Sequence, residues 1–230
     1  MDALEVWEKI RKRYEAIKSG SQELSEIDQK WRTGEMSYAD AIQKAEILSR
    51  AQSEALRDVL TQYVSNNEMM SIDLANETVR RGLEQLYDEI SAEASILQKQ
   101  INKNAGIGMK PVIPKMNESR IDGIVSRLAG GETYEKIEWI LKSPVEVFGK
   151  SVVDDTAKEN AHFQYEAGLS PKIVRTMRRP CCEWCAKLAG EYDYESAPQD
   201  VYRRHENCDC VVELVTRKGR QNVHTKKWTS

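Results

Sequence analysis

Apolar residues at Ile72, Ala75, Val79, Leu83, Leu86, Ile90, Ala94, Leu97 and Ile101 recur every three or four positions, close to the roughly 3.6-residue repeat of a straight helix. No proline interrupts this run, and Glu77, Arg80, Arg81, Glu84 and Glu89 fall on its other side. A helix of that length must lay one face on partners and keep the other in water, so the chain is constrained to a helical bundle. The same stripe is also long enough to dock on another subunit.

The residues before it repeat the pattern on a smaller scale. Trp7, Ile10, Tyr14 and Ile17 line one helical face, which Ser19-Gly20-Ser21 interrupts, and Leu24, Ile27 and Trp31 form a second short stripe. A third helix is predicted to start after Ser37, carrying Ala41, Ala45 and Leu48 and then Leu56, Val59, Leu60 and Tyr63, with Ser65-Asn66-Asn67 behind it. Both kinds of helix breaker then appear together in Asn104-Ala105-Gly106-Ile107-Gly108 and Pro111-Val112-Ile113-Pro114, which reads as a hinge. Beyond the hinge, Ile121, Ile124, Val125 and Leu128 predict a helix closed by Gly130-Gly131. Thr133 is the expected cap of another helix through Ile137, Ile140 and Leu141, stopped at Pro144, and a further helix runs from about Val145 to Ala167. Ser170-Pro171 reads as one more start signal, with Lys172 to Met177 entering the next loop as a turn of helix. Strand character is confined to Tyr192 to Val215, chiefly Val211, Val212, Leu214 and Val215. The expected fold is mainly α. An N-terminal helical domain with one long helix covers 1–103 and a linker 104–120; a helical segment with a small α+β zinc-binding cap covers 121–215, and a basic tail 216–230.

Composition agrees with long solvated helices, since 31% of the 230 residues are charged and 7% aromatic, while 40% hydrophobic content is enough for a core. A net charge of −3 gives no global pull towards nucleic acid or membrane. No run approaches the length of a membrane span. Charge is uneven, however: Arg217, Lys218, Arg220, Lys226 and Lys227 make the tail locally basic, with no acid among them. Such a tail is a solvated end in the ordinary case and a possible phosphate contact in the other.

All five cysteines fall between Cys181 and Cys210. Cys182-Glu-Trp-Cys185 is a Cys-x-x-Cys bend that lets two sulfurs reach one ion, and His205-Glu-Asn-Cys208-Asp-Cys210 offers three more donors after a gap long enough for a hairpin or helical turn. The candidate metal ligands are therefore Cys182, Cys185, His205, Cys208 and Cys210, of which four close a tetrahedral Zn²⁺ site. A closed site is structural, because catalytic zinc keeps one position for water or substrate. Disulfides and plain buried thiols are the alternatives. The odd number of cysteines argues against full internal pairing, and Met1-Asp2-Ala3-Leu4-Glu5 is not the start of a secretory signal. Trp184, between two of the cysteines, reads as a hydrophobic cover over the metal loop.

Enzymatic readings fit less well. Pro180-Cys181-Cys182-Glu183-Trp184-Cys185 comes near the Pro-Cys-x-x-Cys of zinc deaminases, with Cys181 inserted between the proline and Cys182-x-x-Cys185, but their upstream His-x-Glu is missing, since His162 is followed by Phe163-Gln164. There is no Gly-x-Ser-x-Gly and no His-Glu-x-x-His. Gly149-Lys150-Ser151 ends like a phosphate-binding loop, but Pro144 stands where the first glycine belongs. Asp154, Asp155, Glu159 and Glu166 have the spacing of a solvated helix face rather than of a catalytic pair.

From Gly168-Leu169-Ser170-Pro171-Lys172-Ile173-Val174-Arg175, through Cys182-Glu-Trp-Cys185-Ala-Lys-Leu-Ala-Gly190, to Tyr202-Arg-Arg-His205-Glu-Asn-Cys208-Asp-Cys210, the chain resembles the minor head proteins of tailed bacteriophages. The family is that of the Mu F-like minor capsid proteins, in the form found in phages and prophages of Gram-positive bacteria. The resemblance runs from about Asn104 to Trp228 and rests on Cys-x-x-Cys, a Leu-x-Gly turn and His-x-x-Cys-x-Cys. Cys181 lies outside that pattern and is not ranked as a ligand. The resemblance implies a non-enzymatic virion protein of the phage head, made in the bacterial host cytoplasm. It would work in head assembly with portal and capsid or scaffold proteins, and touch DNA through the basic tail. Some members carry toxin domains, so a nuclease-like effector is one alternative and a zinc-dependent nucleic-acid-binding module another. No membrane and no small-molecule substrate are expected.

Overall fold

Short polar residues start the helices that the apolar pattern requires. Asp2 accepts the Leu4 N–H at 3.0 Å ahead of α1 (Ala3–Ser19), and Ser21 caps α2 (Gln22–Thr33) in the same way. Gly34, at φ 76°, then turns the chain out of α2 in the left-handed conformation that glycine adopts without strain. Ser37 and Asp40 form a reciprocal capping box at the head of α3 (Tyr38–Leu60). The computed structural model describes residues 2–179 and 182–216, together with the backbone of the two-residue strands β4 (Arg220–Gln221) and β5 (Trp228–Thr229), which pair antiparallel. Most of the basic tail therefore lies outside the described residues.

The long helix is present but not straight. α4 (Ile72–Ala75) passes through a π turn over Asn76–Arg80 into α5 (Arg81–Asn104). Within the π turn the Thr78 hydroxyl donates to the Leu74 carbonyl at 2.5 Å, competing with the backbone ladder. The extra residue shifts the phase of the stripe: Ala75, Val79, Leu83, Leu86, Ile90, Ala94 and Leu97 are buried, whereas Ile72, ahead of the π turn, is 49% exposed.

Downstream come α6 (Glu118–Leu128), the short α7 (Tyr134–Ile137) continued as a 3-10 turn over Glu138–Leu141, and α8 (Ser143–Glu166). The helical stretch from Tyr134 ends at Leu141, just ahead of Pro144, as the sequence predicts. Pro144 itself occupies the first turn of α8, where its missing N–H costs nothing. Thr133 precedes α7 without a side-chain cap, and its backbone instead bridges to Met69.

Lys172–Met177 is strand β1, not the predicted helical turn. Ile173, Val174 and Thr176 are β-branched, and pairing on both sides outweighs the Ser-Pro start signal. β1 lies between β2 (Gly190–Asp193) and β3 (Cys210–Val215), all antiparallel, with Arg175 opposite Gly190 and Val212, and Met177 opposite Cys210. A short helix, α9 (Glu183–Leu188), connects β1 to β2. The protein is thus mainly helical with a small sheet near the C-terminus. No helix among the described residues is long and apolar enough to cross a membrane.

The two stretches on either side of the 104–120 linker share one hydrophobic core. It runs from Val6 to Leu214, with α3, α5 and α8 packed together and β3 laid on α8 and α3. The linker is strapped down rather than free. Asn160 on α8 accepts the Val112 N–H at 2.8 Å and donates to the Val112 carbonyl at 2.7 Å, and the Tyr87 hydroxyl donates to the Pro114 carbonyl. Such reciprocal pairing satisfies backbone that the glycines and prolines keep out of regular structure.

At the centre of the bundle α3 and α8 nearly touch. A Cβ built on Gly149 would stand 1.9 Å from Ser49 Oγ and 3.0 Å from Ile90 Cδ1. Gly149→Ala is expected to destabilise the fold by about 1–3 kcal/mol through overpacking, in spite of the better helix propensity of alanine. Urea unfolding measures this, and adding Ser49→Gly in the same chain should recover part of the loss.

Candidate metal centre

Three pieces of backbone deliver the sulfurs and the imidazole. Cys182 is the residue before α9 and Cys185 lies in its first turn, so the Cys-x-x-Cys bend is a helix start. The other arm is a tight turn: Cys208 N–H donates to the His205 carbonyl at 3.2 Å, and Asn207 takes the left-handed conformation, φ 58°, which asparagine tolerates. Cys210 opens β3, whose pairing with Met177 fixes it beside the first arm.

The five predicted ligands fall into two triads that share one residue. Cys182, Cys185 and His205 offer donor atoms within 4.8 Å of one another, as do Cys185, Cys208 and Cys210, so Cys185 belongs to both groups. His205 Nε2 lies 3.0 Å from Cys185 Sγ and 3.3 Å from Cys182 Sγ, and Cys185 and Cys208 sulfurs are 3.8 Å apart. The Nδ1 of His205 faces the Glu206 carbonyl, so an N–H there leaves the Nε2 lone pair directed at the sulfurs. Cys185, Cys208 and Cys210 are buried, Cys182 is exposed and His205 is partly covered. The cluster can hold a metal ion, and its sulfur-rich donors are those preferred by soft or borderline metals. Cys181 lies outside the described residues. Trp184 meets the His205 ring edge-on at 5.7 Å and covers the Arg175 guanidinium at 5.3 Å.

The second layer is cationic, and the sequence pattern gave little warning of it. Arg175 is among the largest fully buried side chains; its Nη1 donates to the Val201 and Arg203 carbonyls at 2.6 and 2.9 Å, and its Nη2 stands 3.6 Å from both Cys185 and Cys208 sulfurs. Lys150, buried on α8, donates to the Cys208 carbonyl at 3.0 Å. Arg204 donates to the Cys210 carbonyl at 2.8 Å and forms a two-point ion pair with Asp154, in which both side chains are 1% exposed. Asp154 was expected on a solvated face. It is instead wholly buried, because α8 is covered on that side by the Cys/His loops and β3. Its neighbour Asp155 has its pKa pushed up to about 6, first by burial and then by the Asp154 charge. Lys150 and Asp154 are one turn apart on α8 among other charged residues, Glu146 and Lys158, so no local pattern marks them as buried.

The cysteines themselves are electrostatically uneven. The Cys208 thiol is pulled down to about 4, first by its hydrogen bond with Cys210 and then, against burial, by the Cys210 amide and Arg204, while Cys210 is pushed up by sharing that proton. Cys182 is lowered, chiefly by a hydrogen bond to the Cys185 backbone. Lowered thiols are the deprotonated form that binds metal.

No family model, curated protein or solved structure matches the chain. The site therefore rests on its own geometry.

Two substitutions separate its layers. Asp154→Ala leaves Arg204 charged in the interior and is expected to cost about 3–5 kcal/mol in thermal or urea unfolding. Cys185→Ser or Cys208→Ser should lower bound metal well below one ion per chain. Hydrogen-exchange protection would then fall over residues 172–215, while α1 and α3 stay protected.

Proposed function

We propose that the chain is a structural and assembly protein of a tailed-phage head, with a C-terminal unit closed by one structural Zn²⁺. The observation that carries this reading is the convergence of the motifs that resemble the Mu F-like minor head proteins. Cys182-x-x-Cys185 and His205-x-x-Cys208-x-Cys210 come together as two triads that share Cys185, with Leu188 and Gly190 at the turn into β2.

Zinc suits the donors. Two sulfurs about 2.3 Å from a tetrahedral ion stand about 3.8 Å apart, and Cys185 and Cys208 are separated by 3.8 Å. Nitrogen and sulfur on the same ion stand about 3.5 Å apart, so the 3.0 and 3.3 Å contacts of His205 need only a small outward shift. Five donors exceed the four that a tetrahedral ion takes, which favours a closed, architectural site over one that reserves a place for substrate. The role of zinc in this reading is to join the α9 arm and the β3 arm. Lys150, Arg175 and Arg204 balance the thiolate charge and hold the ligand loops by their carbonyls.

Portal and capsid or scaffold proteins are the partners in this reading, met by the helical body. Leu4, Ile96 and Phe163 are exposed on α1, α5 and α8 and give that body apolar contact points. Mass spectrometry of purified phage particles and of portal pull-downs from induced cells tests the assignment: the protein is expected in both, and metal analysis should give about one zinc per chain. Consistent absence from heads and procapsids would remove the head-protein reading, and a metal-free chain with freely titratable thiols would remove the zinc.

A further inference from the structure

The molecule has a second site that uses none of the cysteine donors. A cleft of about 470 Å³ lies between α6, the turn carrying Trp139 and the start of α8. Arg120, Gly123, Ile124 and Arg127 face it from successive turns of α6. Gly123 has nothing within 4 Å of the position a Cβ would take, so the missing side chain opens the cleft between the two arginines. Trp139 is 45% exposed, an unusual state for so large an apolar ring, and Arg127 lies over it at 4.9 Å. The acids of α6 do not neutralise this wall, because Glu118 and Asp122 are both engaged by Arg80. Among the described residues neither Arg120 nor Arg127 has a carboxylate at ion-pair distance. Opposite them stand Ser143 and Pro144 of the first turn of α8, where the Val145 and Glu146 N–H groups are already taken by the Lys142 carbonyl, so the positive groups of the cleft are the two arginines.

We propose that this cleft binds a nucleotide unit, with the base on Trp139 and the phosphate at Arg120. The chemistry of each wall supports that division. An aromatic face accepts any base by stacking, and a guanidinium already held over the ring completes a cation–π platform. Ile124 and Val147 supply an apolar floor. Arg120 supplies the anion site, with Ser119 and Ser143 on the same lining. Glu206, the acid on the rim, is placed to accept from the amino edge of a base such as cytosine. The nucleotide unit can come from a single strand or from a free mononucleotide, since the cleft is open at its sides.

The test uses the full chain, a labelled single-stranded oligodeoxycytidylate of about twelve nucleotides, within the range of single-strand site sizes, and dCMP as competitor. Saturable binding at low salt is expected, weakened about tenfold or more by Trp139→Ala. Arg120→Ala should also weaken it and make the log–log salt slope shallower by about 0.7, one phosphate contact on a single strand. Gly123→Gln fills the cleft without removing charge or an aromatic ring and should weaken binding in the same way, which covers the case of a poorly folded Trp139 variant. Unchanged metal content in the three variants shows that the cysteine cluster is intact. Competition by dCMP marks a mononucleotide pocket, and binding of the oligonucleotide without such competition marks strand recognition; either supports the proposal. It is overturned if neither probe binds. It is equally overturned if all three variants bind as the parent does and affinity is lost only on replacing Arg217, Lys218, Arg220, Lys226 and Lys227.

Discussion

The buried ion pair between Asp154 and Arg204 holds the two halves of the architecture in register. Asp154 is on α8, which packs on α3 and α5, and Arg204 is in the loop that carries His205 and Cys208. A wholly buried guanidinium is tolerable only if its charge and its N–H groups are answered, and here one carboxylate and the Cys210 carbonyl answer them. Because the pair demands good geometry, the ligand loop can sit on the helical body in only one position. Lys150, one turn earlier on α8, adds a second fixed point at the Cys208 carbonyl.

The helical body was largely legible in the sequence because its determinants are local. Apolar spacing reports which face is buried, and Ser37 reports where α3 begins. Failures came where a distant contact outvoted the local signal. Lys172–Met177 became a strand because β2 and β3 flank it, and nothing within the hexapeptide encodes those partners. Thr133 does stand at the start of α7, but its side chain makes no cap bond there. The π turn was equally hidden, since Thr78 and its neighbours are ordinary helix residues until the hydroxyl bonds back to Leu74.

The candidate site was legible in its ligands and illegible in its supports. Cysteine and histidine at short spacings are uncommon enough to stand out, whereas a lysine, two arginines and an aspartate are the residues expected on any wet surface. Their roles depend on burial, a property of the assembled molecule. Arg175 shows the point most clearly. In sequence it sits in an unremarkable run between Val174 and Thr176, yet in the sheet it faces inward and carries its charge to within 3.6 Å of two sulfurs.

That charge distribution bears on how metal and fold are coupled. Lys150, Arg175 and Arg204 are three buried cations around the cluster, against one buried carboxylate, Asp154, with the half-buried Glu146 one turn before Lys150. With neutral thiols the interior would hold excess positive charge, which is costly in a medium that cannot solvate it. Thiolates relieve the excess, but packed together within 4.8 Å they repel one another unless a cation sits among them. A divalent ion bound by the cluster would resolve both problems, since it would keep the sulfurs deprotonated while leaving the centre anionic towards the surrounding guanidinium and ammonium groups. On this argument the buried cations disfavour a cap whose thiols are all protonated and would favour one that holds a metal ion. The helical body contributes directly to that selection through Lys150 on α8.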